Sequence, residues 1–122
     1  MVKVICDTNF LIHLATKRIK NFDKIVCDLG SIQFLVPNVA YRELKKLQKI
    51  SNKQNDVKIT LEYIKKFERI QIDGTYADEE ILKFVENNPS FIATMDKELK
   101  KKVKASGSNI ISFHNNNLIL ES

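Results

Sequence analysis

Val2 to Cys6 is an almost unbroken apolar run rich in β-branched residues, as in a strand buried on both faces, and Thr8 to Ala15 then spaces its apolar residues as a helix does. The same change of period recurs down the chain. Ser31 to Val36 predicts a second strand ended by Pro37, with Asn38 placed to cap a helix from Val39 to Ile50. The polar stretch Ser51-Asn52-Lys53-Gln54-Asn55 predicts an exposed linker. Beyond it, Val57 to Arg69 reads as a helix, Ile70 to Ile72 as a short strand, Asp73-Gly74-Thr75 as a turn and Tyr76 to Glu86 as a further helix. Asn88-Pro89 breaks the chain. Phe91 to Thr94 then predicts a buried strand, Lys97 to Lys104 a basic helix stopped by Gly107, and Asn109 to Phe113 a last core strand. Asn115-Asn116-Asn117 punctuates the chain before Leu118-Ile119-Leu120, a short strand or a docking segment. This regular alternation predicts an α/β fold, with a central, mainly parallel sheet of about five strands flanked by helices on both faces.

Composition narrows the picture. At 122 residues and 43% hydrophobic content, the chain fills one core and is too short to divide, so residues 1–122 are expected to form a single domain. No run approaches the roughly eighteen apolar residues of a membrane span, and the N-terminus enters a strand without a signal-peptide layout. A soluble, cytoplasmic protein with no membrane partner is expected. Cys6 and Cys27 are too few for a zinc site or a disulfide framework, and read as small apolar residues in a reducing compartment. The net charge of +5 favours an anionic partner without identifying one.

Four of the fifteen acidic residues are placed where solvation alone would not put them. At about 100° per residue, Ala40, Leu44, Leu47 and Ile50 share an apolar arc of about 140° with Val39, and Glu43 falls inside it. A carboxylate facing inward costs several kcal/mol unless paired, protonated or metal-bound. The same projection puts Asp78 on the side of Ile81, Leu82 and Val85, while Glu79 and Glu80 rotate toward solvent, Glu79 lying near enough to serve as an auxiliary group. Asp7 and Asp96 each follow a predicted strand and precede a helix, at the carboxyl edge where parallel sheets bind ligands. Each also suits an N-cap. Were the four to converge, their repulsion would need cations, and an oxygen-only set suits Mg²⁺ or Mn²⁺ rather than zinc. His13 and His114 lie elsewhere in the pattern and read as surface or partly packed residues.

These residues resemble the PIN-domain ribonucleases over nearly the whole chain. Asp7-Thr8-Asn9 looks like the opening motif, Tyr41-Arg42-Glu43-Leu44 the second, Ala77-Asp78-Glu79-Glu80-Ile81 the third and Ala93-Thr94-Met95-Asp96-Lys97-Glu98-Leu99 the fourth. Within the family, the segments from Gly74 to Asp78 and from Thr94 to Lys100 look most like the branch that processes the precursor of small-subunit ribosomal RNA. The toxin branch is the close competitor. The resemblance implies a central parallel sheet between helices, and acids that meet at its end to hold the metal for RNA hydrolysis. Asp7, Glu43, Asp78 and Asp96 would be the metal-binding and catalytic set, with Thr8, Asn9, Glu79 and Thr94 as auxiliary neighbours.

A negative pocket repels a negative backbone, so RNA must be drawn in by positive surface. Lys97, Lys100, Lys101, Lys102 and Lys104 offer one such patch, and equally a solvated helix face; Lys45, Lys46 and Lys49 offer a weaker one. Ribosome-assembly proteins and a second copy of the chain are the protein partners this reading allows. An inert RNA-binding scaffold is the rival from another class. A receiver or aspartyl-phosphatase domain fits less well, because the position two residues after Asp7 is Asn9 and Glu43 goes unexplained.

Overall fold

The alternation of strands and helices builds one six-stranded sheet in the order β3-β2-β1-β4-β5-β6, from β1 (Val2–Cys6), β2 (Ile32–Pro37), β3 (Glu68–Ile70), β4 (Phe91–Ala93), β5 (Asn109–His114) and β6 (Asn117–Glu121). The computed structural model describes residues 2–17, 19, 30–50 and 54–121; Cys27 and Ser51-Asn52-Lys53 of the expected linker lie outside them. The described helices are α1 (Thr8–Thr16), α2 (Asn38–Ile50), α3 (Gln54–Tyr63), α4 (Ala77–Asn87) and α5 (Lys97–Ala105), with a 3-10 turn at Ile64–Lys66. No helix among the described residues is long and apolar enough to cross a membrane.

Five strands run parallel and β6 returns antiparallel. Parallel strands need right-handed crossovers, and here the direction of travel reverses. From β1 the chain moves outward to β2 and β3, which places α1, α2 and α3 together on one face; from β3 it returns to β4 and β5, which places α4 and α5 on the other. Contacts among α1, α2 and α3, and of α4 with α5, agree with this division. The reversal lies between β1 and β4, where neighbouring strands send their chains to opposite faces. A crevice at the carboxyl ends follows from that geometry.

The core is apolar where the sequence alternation requires it. Val4, Ile5 and Cys6 of β1, Ile92 and Ala93 of β4, and Ile110 and Ile111 of β5 are all buried, and Phe10 stacks on Phe113 at 4.8 Å between ring centroids. Burial pushes the Cys6 thiol well above its usual range, with the neighbouring Asp7 adding to the shift, so it remains a protonated packing group.

Several boundaries differ from expectation, most by a single residue: β2 includes Pro37, Asn38 is the first residue of α2 rather than its cap, and β4 stops at Ala93. Gln54 and Asn55 belong to α3 rather than to the linker, and that helix stops at Tyr63, before the 3-10 turn. The third strand is Glu68–Ile70 rather than Ile70–Ile72, because its ladder on β2 ends where Ile70 meets Pro37, which has no N–H to donate. Ile72 is nevertheless buried, and its carbonyl accepts from the Val39 N–H at 2.9 Å, so an apolar residue seated over the start of α2 mimics a strand. The sixth strand is the tail from Asn117. Asn115 and Asn116 both adopt positive φ, as a two-residue hairpin demands and as asparagine tolerates.

Candidate active site

β1 and β4 end side by side, Cys6 opposite Ala93, and the Asp7 N–H donates to the Ala93 carbonyl at 3.0 Å. The first residues past the two strands are therefore neighbours. Thr94, fully buried, donates its hydroxyl to Oδ2 of Asp7 and accepts the Asp96 N–H on the same oxygen at 3.1 Å. Asp7 caps α1 with its other oxygen, Oδ1 accepting from the Phe10 N–H at 2.9 Å. Asp96 caps α5, its Oδ1 accepting from the N–H groups of Glu98 and Leu99 at 2.9 and 3.2 Å. Each strand-end aspartate is thus an N-cap, and the two are joined through one threonine.

Glu43 lies where helical projection puts it, half-buried on the inner side of α2. Its two oxygens are held by different elements: the Thr8 hydroxyl donates to Oε1 at 2.5 Å and the Ala77 N–H to Oε2 at 2.9 Å. One side chain therefore ties α2 to the first turns of α1 and α4. Asp7 is only 7% exposed, and its pKa is raised to about 6, by burial first and then by repulsion from Asp96 and Glu43; the Thr94 and Phe10 donors pull the other way.

Asp78 departs from the projection and is exposed. The buried face of α4 is Ala77, Ile81 and Val85, and Asp78 lies about 100° around from Ala77 in the first turn. Asp78 still meets Asp96, since both line a small cavity of about 70 Å³ together with Glu79 and Lys102. Its Oδ1 accepts from the Glu79 N–H at 2.9 Å.

The auxiliary residues divide. Thr8 and Thr94 are buried and bonded to Glu43 and Asp7 respectively, whereas Asn9 is exposed and Glu79 stands on the rim beside Asp78. His13 was expected away from the acids, yet it lines a cavity of about 540 Å³ with Asn9, Lys17, Asp56 and Asp96, its ring 4.2 Å from that of Phe113. Its spacing of four from both Asn9 and Lys17 carries that signal in sequence. Asp56 arrives from α3, and nothing local announces it.

The lysine patch on α5 is smaller than its composition suggests. Lys100 and Lys104 pair with Glu121 of β6 at 2.8 and 3.2 Å. Lys100, Ser112 and Lys104 together hold the Glu121 carboxyl at about 2. Lys97, Lys101 and Lys102 remain exposed.

Apart from His13 on the cleft wall, the donors around Asp7 and Asp96 are carboxylate, hydroxyl and carboxamide oxygens, and a carboxylate raised by burial and by other acids is what a hard divalent cation relieves. The chemistry of the set fits Mg²⁺ or Mn²⁺. Among the described residues no three acid, histidine or cysteine side chains are already drawn together around one point.

Thr94→Val removes the hydroxyl that favours the ionised form of Asp7. The midpoint of Asp7 in a carbon-13 carboxyl titration of metal-free protein is expected to move above the native value of about 6. An unchanged midpoint would dissociate Thr94 from Asp7.

The family model of a PIN-like domain matches residues 4–116. Ribonuclease VapC4 of Methanocaldococcus jannaschii is 34% identical over 110 residues, covering 84% of this chain and 83% of that protein. Among solved structures, the PIN domain endonuclease Utp24 superposes with a TM-score of 0.78 at 31% identity, covering 98% of this chain and 90% of that one. A domain of a functionally unknown protein from Methanocaldococcus jannaschii has a TM-score of 0.61 at 14% identity, covers 93% of this chain and 92% of that one, and is alike in fold alone. With the strand order, the acids at the β1–β4 reversal and a family match over nearly its whole length, this chain belongs to the PIN-like domain family.

Proposed function

We propose that this protein is a divalent-metal-dependent endoribonuclease that hydrolyses phosphodiester bonds in precursor RNA of the small ribosomal subunit. The observation that carries the reading is Asp7, a carboxylate whose pKa is raised by burial first and then by Asp96 and Glu43, at the point where the sheet reverses direction. Likeness to a PIN domain endonuclease and to a ribonuclease, each above 30% identity, supports the reaction class. The motifs around Asp78 and Asp96 support the ribosomal substrate.

Asp7 and Asp96 would hold Mg²⁺ or Mn²⁺, with Asp78 completing the set and Glu43 binding directly or through water. When bound, such an ion supplies Lewis acidity, which lowers the pKa of water and offsets charge on the phosphate. The chain's own contribution is orientation. Thr94 and the Phe10 N–H fix the two oxygens of Asp7, and Thr8 and the Ala77 N–H fix those of Glu43. Without metal Asp7 is ionised above about pH 6, so below that pH a cation competes with a proton for it. Asn9, exposed in the first turn of α1, presents its carboxamide to the cleft beside Asp96, where a phosphate oxygen can accept from it. Lys102 sets a positive charge in the small cavity between Asp78 and Asp96.

Asp96→Asn tests the site. Asparagine caps a helix as well as aspartate does, so the fold is expected to survive, while Mn²⁺-dependent cleavage of a structured RNA falls by at least about 10²-fold. Undiminished cleavage would remove Asp96 from the site. Likeness to ribonuclease VapC4 favours a second reading, in which the same chemistry serves a toxin restrained by an antitoxin. Expression in a growing host separates the two: a processing enzyme changes ribosomal precursor lengths, whereas a toxin stops growth.

A further inference from the structure

A second concavity, remote from the acids, is lined by cations from four successive elements. Lys45 projects from α2, Lys58 from α3, Lys65 from the 3-10 turn and Arg69 from β3, around a cavity of about 390 Å³. All four are exposed. The one carboxylate among the lining residues is Glu62, which pairs with Lys65 at 2.9 Å, so the hollow carries a surplus of positive charge. Tyr41 organises it. The guanidinium carbon of Arg69 lies 3.5 Å from the Tyr41 ring centroid and the Lys45 ammonium 5.5 Å from it. A guanidinium packed flat on a ring is pre-oriented, so its donors lose less freedom on meeting a phosphate. Arg69 Nη1 also donates to Oδ1 of Asn38, the first residue of the helix that carries Glu43.

The position of this hollow makes it useful. β3 is two strands from β1, or about 10 Å across the sheet, and Arg69 sits near its carboxyl end. Tyr41 and Lys45 each lie about 160° around α2 from Glu43, so the hollow occupies the face of that helix opposite the acid. The lysines of α5 are the alternative positive surface, and Glu121 already engages two of them. The cleft beside Asp96 sets one lysine, Lys17, against two carboxylates, Asp56 and Asp96, so it has no surplus of lysine and arginine charge for extra phosphates.

We infer that the hollow between α2, α3 and β3, walled by Lys45, Lys58, Lys65 and Arg69, binds the phosphate backbone of single-stranded RNA flanking the bond to be cut. The inference rests on the ribonuclease reading for the identity of the polyanion. Contacts of this kind hold a strand without reading its bases, and each contact adds to the dependence of binding on salt.

The test is fluorescence anisotropy with a labelled twenty-nucleotide oligouridylate and full-length protein in EDTA, where no cleavage occurs. Lys45→Ala with Lys58→Ala is expected to weaken binding roughly tenfold and to flatten the log–log salt slope by about 1.4, at about 0.7 per lost phosphate contact on a single strand. Both residues are exposed, and circular dichroism checks that the fold is kept. Lys3→Ala removes one charge from β1, outside the hollow, and is expected to bind as the native chain does. Native affinity and slope in the double variant would overturn the proposal. So would a double variant that keeps its oligouridylate affinity but no longer binds polyglutamate, since the hollow would then serve an acidic protein segment. Cleavage by Asp96→Asn at the native rate would instead overturn the catalytic site and leave the anisotropy result standing, so the two failures are distinct.

Discussion

Asp7→Asn is expected to abolish Mn²⁺-dependent RNA cleavage while leaving the metal-free protein at pH 8 at least as stable as the native chain. The two effects have one origin. Asp7 is held as a carboxylate where burial and the nearby Asp96 and Glu43 oppose its charge, and its pKa is raised to about 6. The unfolded chain releases the same proton in the ordinary carboxylate range, so between about pH 4 and 6 the folded state binds more protons than the unfolded one. Stability is therefore lost as pH rises through that window and stays low above it. A shift of roughly two units corresponds to about 3 kcal/mol at neutral pH, an upper limit because asparagine cannot reproduce both hydrogen bonds that Asp7 accepts. Urea denaturation in EDTA at pH 4, 5, 6 and 8 reads the slope directly: the native chain should weaken across the window and the variant should not. Parallel slopes in the two proteins would mean that Asp7 does not carry this linkage. Cleavage should fall by about 10³-fold or more, since a positioned ligand is lost outright.

Glu43→Ala should damage both properties. Removing the carboxylate leaves the Ala77 N–H, on a residue only 3% exposed, without its acceptor, and frees the Thr8 hydroxyl as well. One unsatisfied buried donor and one lost charge-assisted bond predict a loss of about 2–4 kcal/mol. Glu43→Gln keeps an oxygen for one of the two donors and should lose less than about 1.5 kcal/mol. Both variants lose the charge, so both should need more Mn²⁺ to reach half-maximal cleavage. Thermal melts and metal titrations of the pair separate the roles. If the glutamine variant is as unstable as the alanine variant, geometry rather than hydrogen-bond satisfaction governs the site.

Much of this was legible in sequence because it depends on local period. Strands buried on both faces and helices spaced at 3.6 residues are written in short windows, and their alternation implies the parallel sheet. Glu43 could be located because it lies in mid-helix, where the apolar arc is defined on both sides. Asp78 could not be oriented in the same way, because in a first turn no preceding residues bound the face. Ile72 mimics a strand residue because burial at the entry to α2 leaves the same apolar mark. What the sequence hides is the meeting of distant elements. Glu121 neutralises two of the α5 lysines only because β6 folds back beside β5, and Lys58, Lys65 and Arg69 gather only once α3 and β3 are placed. His13 and Asp56 likewise share a wall with Asp96 through tertiary packing alone.

The double duty of the strand-end aspartates bears on how relatives of this chain are to be read. Asp7 and Asp96 each cap the start of a helix as well as stand at the candidate metal site. Under the proposed function, selection for folding and selection for catalysis would act on the same two side chains. A lineage that gave up cleavage would still be held to a capping residue at both positions, and drift there would run first to asparagine, serine or threonine. An aspartate retained at either place in a distant descendant is accounted for by helix capping alone. Glu43, half-buried and shared among three helices, is kept by packing in the same way. Asp78 makes no bond beyond its own helix among the described residues, so in such a lineage it is the acid whose persistence speaks for turnover.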